Sequence, residues 1–379
     1  MASNLPSELI ALILGEVYYL KDKPPPEHIF LTRNPDRHTV AACSLVNSSW
    51  RAVAQPLLFH HITSNVSPAF ARWIRTPHAI NLGLLSSVKT VELRLDTTVG
   101  QNGFPNLPSC GVDDFHLLLN SLPNLYELEI SLQGFSVASS FQPRQVFQSL
   151  RALRINECSV QSPVLYELLS IFPGIRFLTI AIEIAALPPP IPIPSLQLYE
   201  LVIYRSLSPD ITKWLLANSV GSLRVLETRE FVGIHLPLVL RGHYDHLHSL
   251  RLIRLDRSSL AMIQACNNLQ ELVLVTIPGS TARRDLTLSK LPSSLQHLSL
   301  IRRGKDSGSL VKLADAIRSS SPQLKLISCD RSFQSDPEYD VLVELCLQRG
   351  IELQIGESRH WPVGVWCVVS VATRLLISV

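Results

Sequence analysis

Charge is scarce in this chain. Only 17% of its 379 residues are Asp, Glu, Lys or Arg, and the formal balance is +3. So small a balance gives no general basic face of the kind nucleic acid requires, and no nucleic-acid partner is expected. Cysteine is sparse as well. The seven fall at 43, 110, 158, 266, 329, 346 and 367, an odd number with no CxxC pair. Most lie in apolar runs, which reads as free buried thiols in a reducing compartment, cytoplasm and/or nucleus. The first apolar stretch, MASNLPSELIALILGEV, has no basic leader and carries Glu8 and Glu16. No secretory signal is expected there.

Motifs that carry chemistry are missing too. GxxxxGK[ST], GxGxxG, GxSxG and HExxH do not occur. Nothing therefore points to a phosphate cradle, a nucleophile elbow or a zinc protease. The chain is expected to be no enzyme, with no cofactor and no metal. RGHYDHLHSL (241–250) gathers His243, Asp245, His246 and His248. Leu247 opens a repeat, however, which places His246 and His248 on a solvated turn rather than around a metal. His60 and His61 are adjacent, point apart and read as surface histidines. Arg283 with Arg284, and RRGK (302–305), read as solvated loop faces.

No apolar run is long enough for a membrane. The C-terminal HWPVGVWCVVSVATRLLISV offers eleven residues from Val363 to Thr373, against roughly 20 needed to span a bilayer. Val363, Val365, Cys367, Val369 and Val371 alternate, which suits a buried strand. No membrane partner is expected.

What the chain has is repetition. Hydrophobic residues make up 46% of it, enough for a large core. A hexamer of the form L-x-x-L-x-L recurs as VKTVEL, LYELEI, LRALRI, IRFLTI, LYELVI, LRVLET, LHSLRL, LQELVL, LQHLSL and LKLISC. The first residues are Val88, Leu125, Leu150, Ile175, Leu198, Leu223, Leu247, Leu269, Leu295 and Leu324, spaced by 22 to 29 after one interval of 37. Between them lie capped helical patterns at 113–124, 162–174, 208–221, 257–268 and 308–323. Units this short cannot bury an apolar face alone, so neighbours must stack.

A short strand followed by a helix at this period resembles the leucine-rich repeat, over about residues 85–355. The resemblance implies an α/β solenoid, a horseshoe whose strands line a concave face. The Asn or Cys that the family carries three residues beyond the hexamer occurs once, as Cys158. PPPIPIP (188–194) reads as a convex-side loop, or as a ligand for a proline-binding domain.

If the hexamer sets the strand, residues two, four and six after its first face the concave side. They include Glu127, Glu129 and Ser131, then Arg154 and Asn156, then Phe177 and Thr179. Val202 with Tyr204, Glu227 with Arg229, Arg251, Val273, and His297 with Ser299 follow. Glu127, Glu129, Arg154, Asn156, Phe177, Tyr204, Glu227, Arg229, Arg251 and His297 are the candidate substrate contacts. Aromatics and arginines among polar residues make up a protein-binding hot spot, and equally an ordinary solvated sheet with two exposed aromatics.

Ahead of the repeats, Leu5, Leu9, Leu12, Ile13, Val17 and Leu20 form one helical stripe, capped by Asn4 with Pro6 in the first turn. A proline-rich insertion (21–38) reads as a loop. Two short helices follow; Asn47 or Ser48 starts the second and Pro56 ends it. Three short helices need something to lean on. LPSELIALIL with CSLVNSSWRAVAQPLLF resembles an F-box, matched at Leu5, Pro6, Glu8, Leu9, Ile13, Leu14, Cys43, Leu45, Val46, Trp50, Arg51, Ala54, Pro56, Leu58 and Phe59. It departs from that family in the length of the 21–38 insertion.

The resemblance implies a substrate receptor of a cullin–RING ubiquitin ligase, of the fungal type. The F-box would dock a Skp-type adaptor through Leu5, Pro6, Leu9, Ile13, Leu45, Val46 and Trp50, and the repeats would hold a protein substrate. Ile13, Val46 and Trp50 serve equally as the module's own core. The alternative is a repeat scaffold, binding protein or RNA, with no ubiquitin role. The organisation is an F-box over 1–62, a linker or first cap over 63–84, the solenoid over 85–355 and a hydrophobic segment over 356–379.

Overall fold

The structure, a computed structural model, describes residues 5–19, 36–76, 83–96, 110–133, 149–190, 195–230, 232, 234–253, 255–276, 290–302, 313–320 and 323–356. Most of the 21–38 insertion, Asn4, Leu20, residues 191–194 of the proline stretch, Arg283, Arg284, RRGK beyond Arg302, and everything after 356 lie outside them.

Every hexamer becomes a strand, and each strand begins two residues after the hexamer's first residue. In order they are β2 (Thr90–Asp96), β3 (Glu127–Gln133), β4 (Ala152–Glu157), β5 (Phe177–Ile180), β6 (Glu200–Ile203), β7 (Val225–Thr228), β8 (Ser249–Leu252), β9 (Glu271–Thr276), β10 (His297–Arg302) and β11 (Leu326–Asp330). Two further strands flank them, β1 (His61–Ile62) and β12 (Glu352–Gly356). The sequence expectation missed both because their hexamers are degenerate: Phe59 and Gly350 stand where leucine would.

The twelve strands form one open parallel sheet, ordered as in the chain. The second hexamer residue carries the ladder, since its carbonyl accepts two amides from the next repeat. Tyr126 and Glu127 donate in this way to the Lys89 carbonyl, at 2.8 and 2.9 Å.

Helices cross between strands, as parallel pairing demands. They are α5 (Val112–Ser121), α6 (Val164–Ile171), α7 (Pro209–Leu216), α8 (His235–Val239), α9 (Arg257–Ala265), α10 (Leu313–Ser320) and α11 (Tyr339–Arg349). Local chemistry sets their ends. Ser208 accepts from the Ile211 amide ahead of Pro209, and Asp256 with Ser259 forms a capping box. Gly350, at φ 66°, closes α11, because a left-handed cap suits a residue without Cβ. Hexamer positions one and four are buried throughout, from Val88 and Val91 to Leu324 and Ile327. Each buried leucine contributes about 1.5–3 kcal/mol, so the stacked rows are the main source of stability. This open, one-strand-per-repeat sheet is compatible with a solenoid-like α/β fold.

The N-terminal helices are α1 (Ser7–Tyr19), α2 (Arg37–Ser44) and α3 (Ser48–Phe59). They share a small core of their own, Ile10, Leu14, Tyr18, Val40 and Ala54. The Asp36 amide donates to the Tyr18 carbonyl at 2.9 Å, closing the chain across residues 20–35. Asn47 caps α3, accepting from the Trp50 amide at 2.9 Å. Pro56 does not end α3 as expected. It lies inside the helix, which runs on because Leu57 and Leu58 still pack on the helical core. The next residue, Phe59, packs on the sheet's core instead, 6.2 Å from Phe70 and 5.4 Å from Trp73 between ring centres. Those two rings belong to α4 (Ser67–Ile74), which covers the first strands.

Candidate functional site

Two surfaces gather the residues singled out by the sequence. The first is on the helical head. Ile10, Leu14 and Tyr18, at i, i+4 and i+8, turn α1 toward α3, so the other apolar stripe faces outward. The sequence places Leu9, Leu12 and Ile13 on one apolar stripe with Val17, and the structure divides it: Val17 packs on the head's core and the other three lie outside it. Leu9 is 49% exposed, Leu12 66% and Ile13 41%, and in the turn between α2 and α3 Leu45 is 76% and Val46 56% exposed. Pro6 is exposed, while Leu5 and Trp50 are partly buried against the head's own core. Ile13 and Val46 therefore lie outside that core and Trp50 lies against it. Leu12 belongs to the stripe but not to the adaptor contacts expected from the sequence; its place three residues after Leu9 was the available signal.

The second surface is the strand face opposite the helices. The register sets its side chains in lateral rows: Glu129 is aligned with Arg154, and Glu227 with Arg251. Glu129 accepts from Asn156 and pairs with Arg154 at 3.5 Å. Farther along, Arg229 Nε lies 2.7 Å from Glu227 Oε1, and Arg251 Nη1 lies 3.8 Å from Glu227 Oε2. Arg251 Nη2 also reaches Glu271 Oε2 at 3.3 Å, and His297 Nδ1 lies 3.5 Å from Glu271 Oε1. His297 Nε2 is 2.9 Å from the Ser328 hydroxyl, and Ser249 donates to Glu271. The Arg229 guanidinium sits 3.8 Å from the centre of the Tyr204 ring, a cation–π contact. Glu271 had gone unremarked, although the two-residue rule applied to Leu269 points straight at it.

This network corrects the picture of a solvated strip with two exposed aromatics. Phe177 is only 5% exposed, its ring 5.7 Å from that of Tyr199, and Glu227 is 2% exposed. Long side chains on neighbouring strands, about 4.8 Å apart, cover one another. Glu127, Glu129, Arg154, Asn156, Tyr204 and Arg229 remain half-open to solvent.

Burial pushes the Glu227 carboxyl above the usual carboxylate range, against the pull of Arg229 and Arg251. Burial raises Glu271 too, but Arg251, His297 and Ser249 outweigh it and bring the group down to about 2. A carboxylate depressed in the fold stabilises it above its unfolded pKa, and that stability is lost as pH falls through the folded value. Glu271 should thus contribute up to roughly 3 kcal/mol near pH 6, lost between about pH 5 and pH 2. Glu227 acts with the opposite sign, since acidification relieves its burial. Urea unfolding from pH 6 to pH 2 checks this: Glu271→Gln should flatten the acid side of the stability curve, and an unchanged slope would refute it.

The histidines read as surface groups are not. His61 Nε2 pairs with Glu92 at 2.7 Å, and His60 lies edge-on to Tyr18, where burial, with Lys89 and His61, lowers its pKa to about 4. They are held because the chain passes there from the head into β1. His243 is buried and Asp245 exposed; His246 and His248 are half-buried rather than fully solvated. Among the described residues no group of three or more His, Cys, Asp or Glu is placed to hold a metal ion, and no helix is long and apolar enough to cross a membrane. Cys110, Cys266, Cys329 and Cys346 are free and buried; Cys43 and Cys158 are free and half-buried.

Fold and surfaces together define a repeat protein: an open parallel α/β sheet with an apolar helical head. Compared with known proteins, the chain matches no family model and no curated sequence.

Proposed function

We propose that this chain is a non-enzymatic substrate receptor. Its helical head docks a Skp-type adaptor of a cullin–RING ubiquitin ligase, and its strand face holds a protein substrate. The reading rests on the resemblance of residues 5–59 to an F-box. The observation that carries it is the exposure of Leu9, Leu12, Ile13, Leu45 and Val46 outside the head's own core. Exposed apolar groups so concentrated favour an interface over a free surface. Leu5, Pro6 and Trp50 border that surface and complete the adaptor contact.

Leu9 is exposed and Pro6 precedes α1, so replacing both should leave the stacked repeats intact. Pro6→Ala with Leu9→Ala is expected to lower capture of a purified Skp-type adaptor at least about tenfold, with thermal unfolding unchanged. Undiminished capture would sink the head as the adaptor surface. A wild-type chain that captures no adaptor at all would favour a scaffold without a ubiquitin role.

A further inference from the structure

We infer that the beginning of the strands carries a docking line for an acidic, extended segment of a partner protein. This deepens the receptor reading, because it names a substrate chemistry for the strand side of the molecule. The line is made by the second hexamer residues: Lys89, Tyr126, Arg151, Arg176, Tyr199 and Arg224. They are lateral neighbours in one row. The amide of each donates to the carbonyl of the one before it, at 2.8–2.9 Å from Tyr126 through Arg224.

The row differs from the rest of the face in how its charge is treated. One or more positions further along the strands, Arg94, Arg154, Arg229 and Arg251 each lie within reach of a carboxylate. Among the described residues, Lys89, Arg151, Arg176 and Arg224 have no ion pair. Arg151 and Arg224 donate instead to backbone carbonyls, of Gly174 at 3.2 Å and His246 at 3.1 Å. Those bonds orient a guanidinium without neutralising it. The row thus holds four uncompensated cations, two tyrosines and no carboxylate, beside a face whose cations are paired internally.

Charge complementarity selects the occupant. Glu127 and Glu200 stand in the adjoining row, one residue along their strands. They repel any polyanion lying broadly on the face, but they accept hydrogen bonds from backbone amides, donors that a peptide has and a sugar–phosphate backbone lacks. Lys89 to Arg224 covers five strand steps, β2 to β7. At about 4.8 Å a step this is about 24 Å, the length of roughly seven extended residues.

The test titrates the full chain with a fluorescent eight-residue oligoglutamate, an oligolysine of equal length and a single-stranded oligouridylate, reading anisotropy at low and high salt. Oligoglutamate should bind, weaken with salt, and lose about tenfold in affinity to Lys89→Glu with Arg176→Glu. Neither side chain makes a hydrogen bond among the described residues, so the fold should survive, as circular dichroism checks. Arg318→Glu, on α10, should leave binding unchanged. Equal binding by the charge-reversed variant, or tighter binding of oligouridylate, would overturn the proposal. Adaptor capture measured on the same samples separates failure of this line from failure of the receptor reading.

Discussion

Glu227→Ala is expected to destabilise the fold by about 3–5 kcal/mol, the usual cost of removing one partner from a buried charge cluster. The carboxylate is 2% exposed and is the anion closest to Arg229, at 2.7 Å. Its removal takes that carboxylate from Arg229 and leaves Arg251 its contact with Glu271, at 3.3 Å. Glu227→Leu made together with Arg229→Leu should cost far less, because the Arg229 charge leaves with its carboxylate while Arg251 keeps Glu271 at 3.3 Å. Chemical denaturation of the two variants measures the difference. Equal destabilisation would show that shape, and not uncompensated charge, is what this cluster supplies.

Phe172→Ala should cost a similar amount, about 3–5 kcal/mol, through the cavity it opens. Phe172 is fully buried, caps the C-terminus of α6, and packs in the continuous core beneath the sheet. Each repeat meets only its neighbours, so the lesion should also weaken coupling between the halves it separates. The urea transition is therefore expected to shift and to broaden, where Leu187→Ala, at an 82% exposed position, leaves it unchanged. A sharp transition at the wild-type midpoint would contradict a stacked core.

Much of the architecture was legible in the sequence because the physics of the repeat is local. Leucines at hexamer positions one, four and six must face inward, so Leu125, Leu128 and Ile130 identify β3 without any tertiary knowledge. Helix starts were equally local, as Asn47 and Asp256 show by capping amides three residues on. Ends and edges were less legible. Pro56 breaks a local rule that packing of Leu57, Leu58 and Phe59 overrides, and β12 begins after a glycine where the pattern asks for leucine.

The candidate sites divide in the same way. Alternation along each strand put Glu129, Arg154, Glu227, Arg229 and Arg251 on one face, and the sequence determined that much alone. Arg229 meets Glu227 two residues away on its own strand, but the pairs of Glu129, Arg154 and Arg251 join residues 20 to 27 apart in the chain, and only stacking sets those distances. The helical head shows the same limit. The sequence showed one apolar stripe on α1, and no property of the helix itself says which face is buried. Packing against α3 buried Ile10, Leu14 and Tyr18, and so left Leu9, Leu12 and Ile13 facing outward. Period and chemistry were written along the chain, whereas exposure belongs to neighbours that only the folded chain brings together.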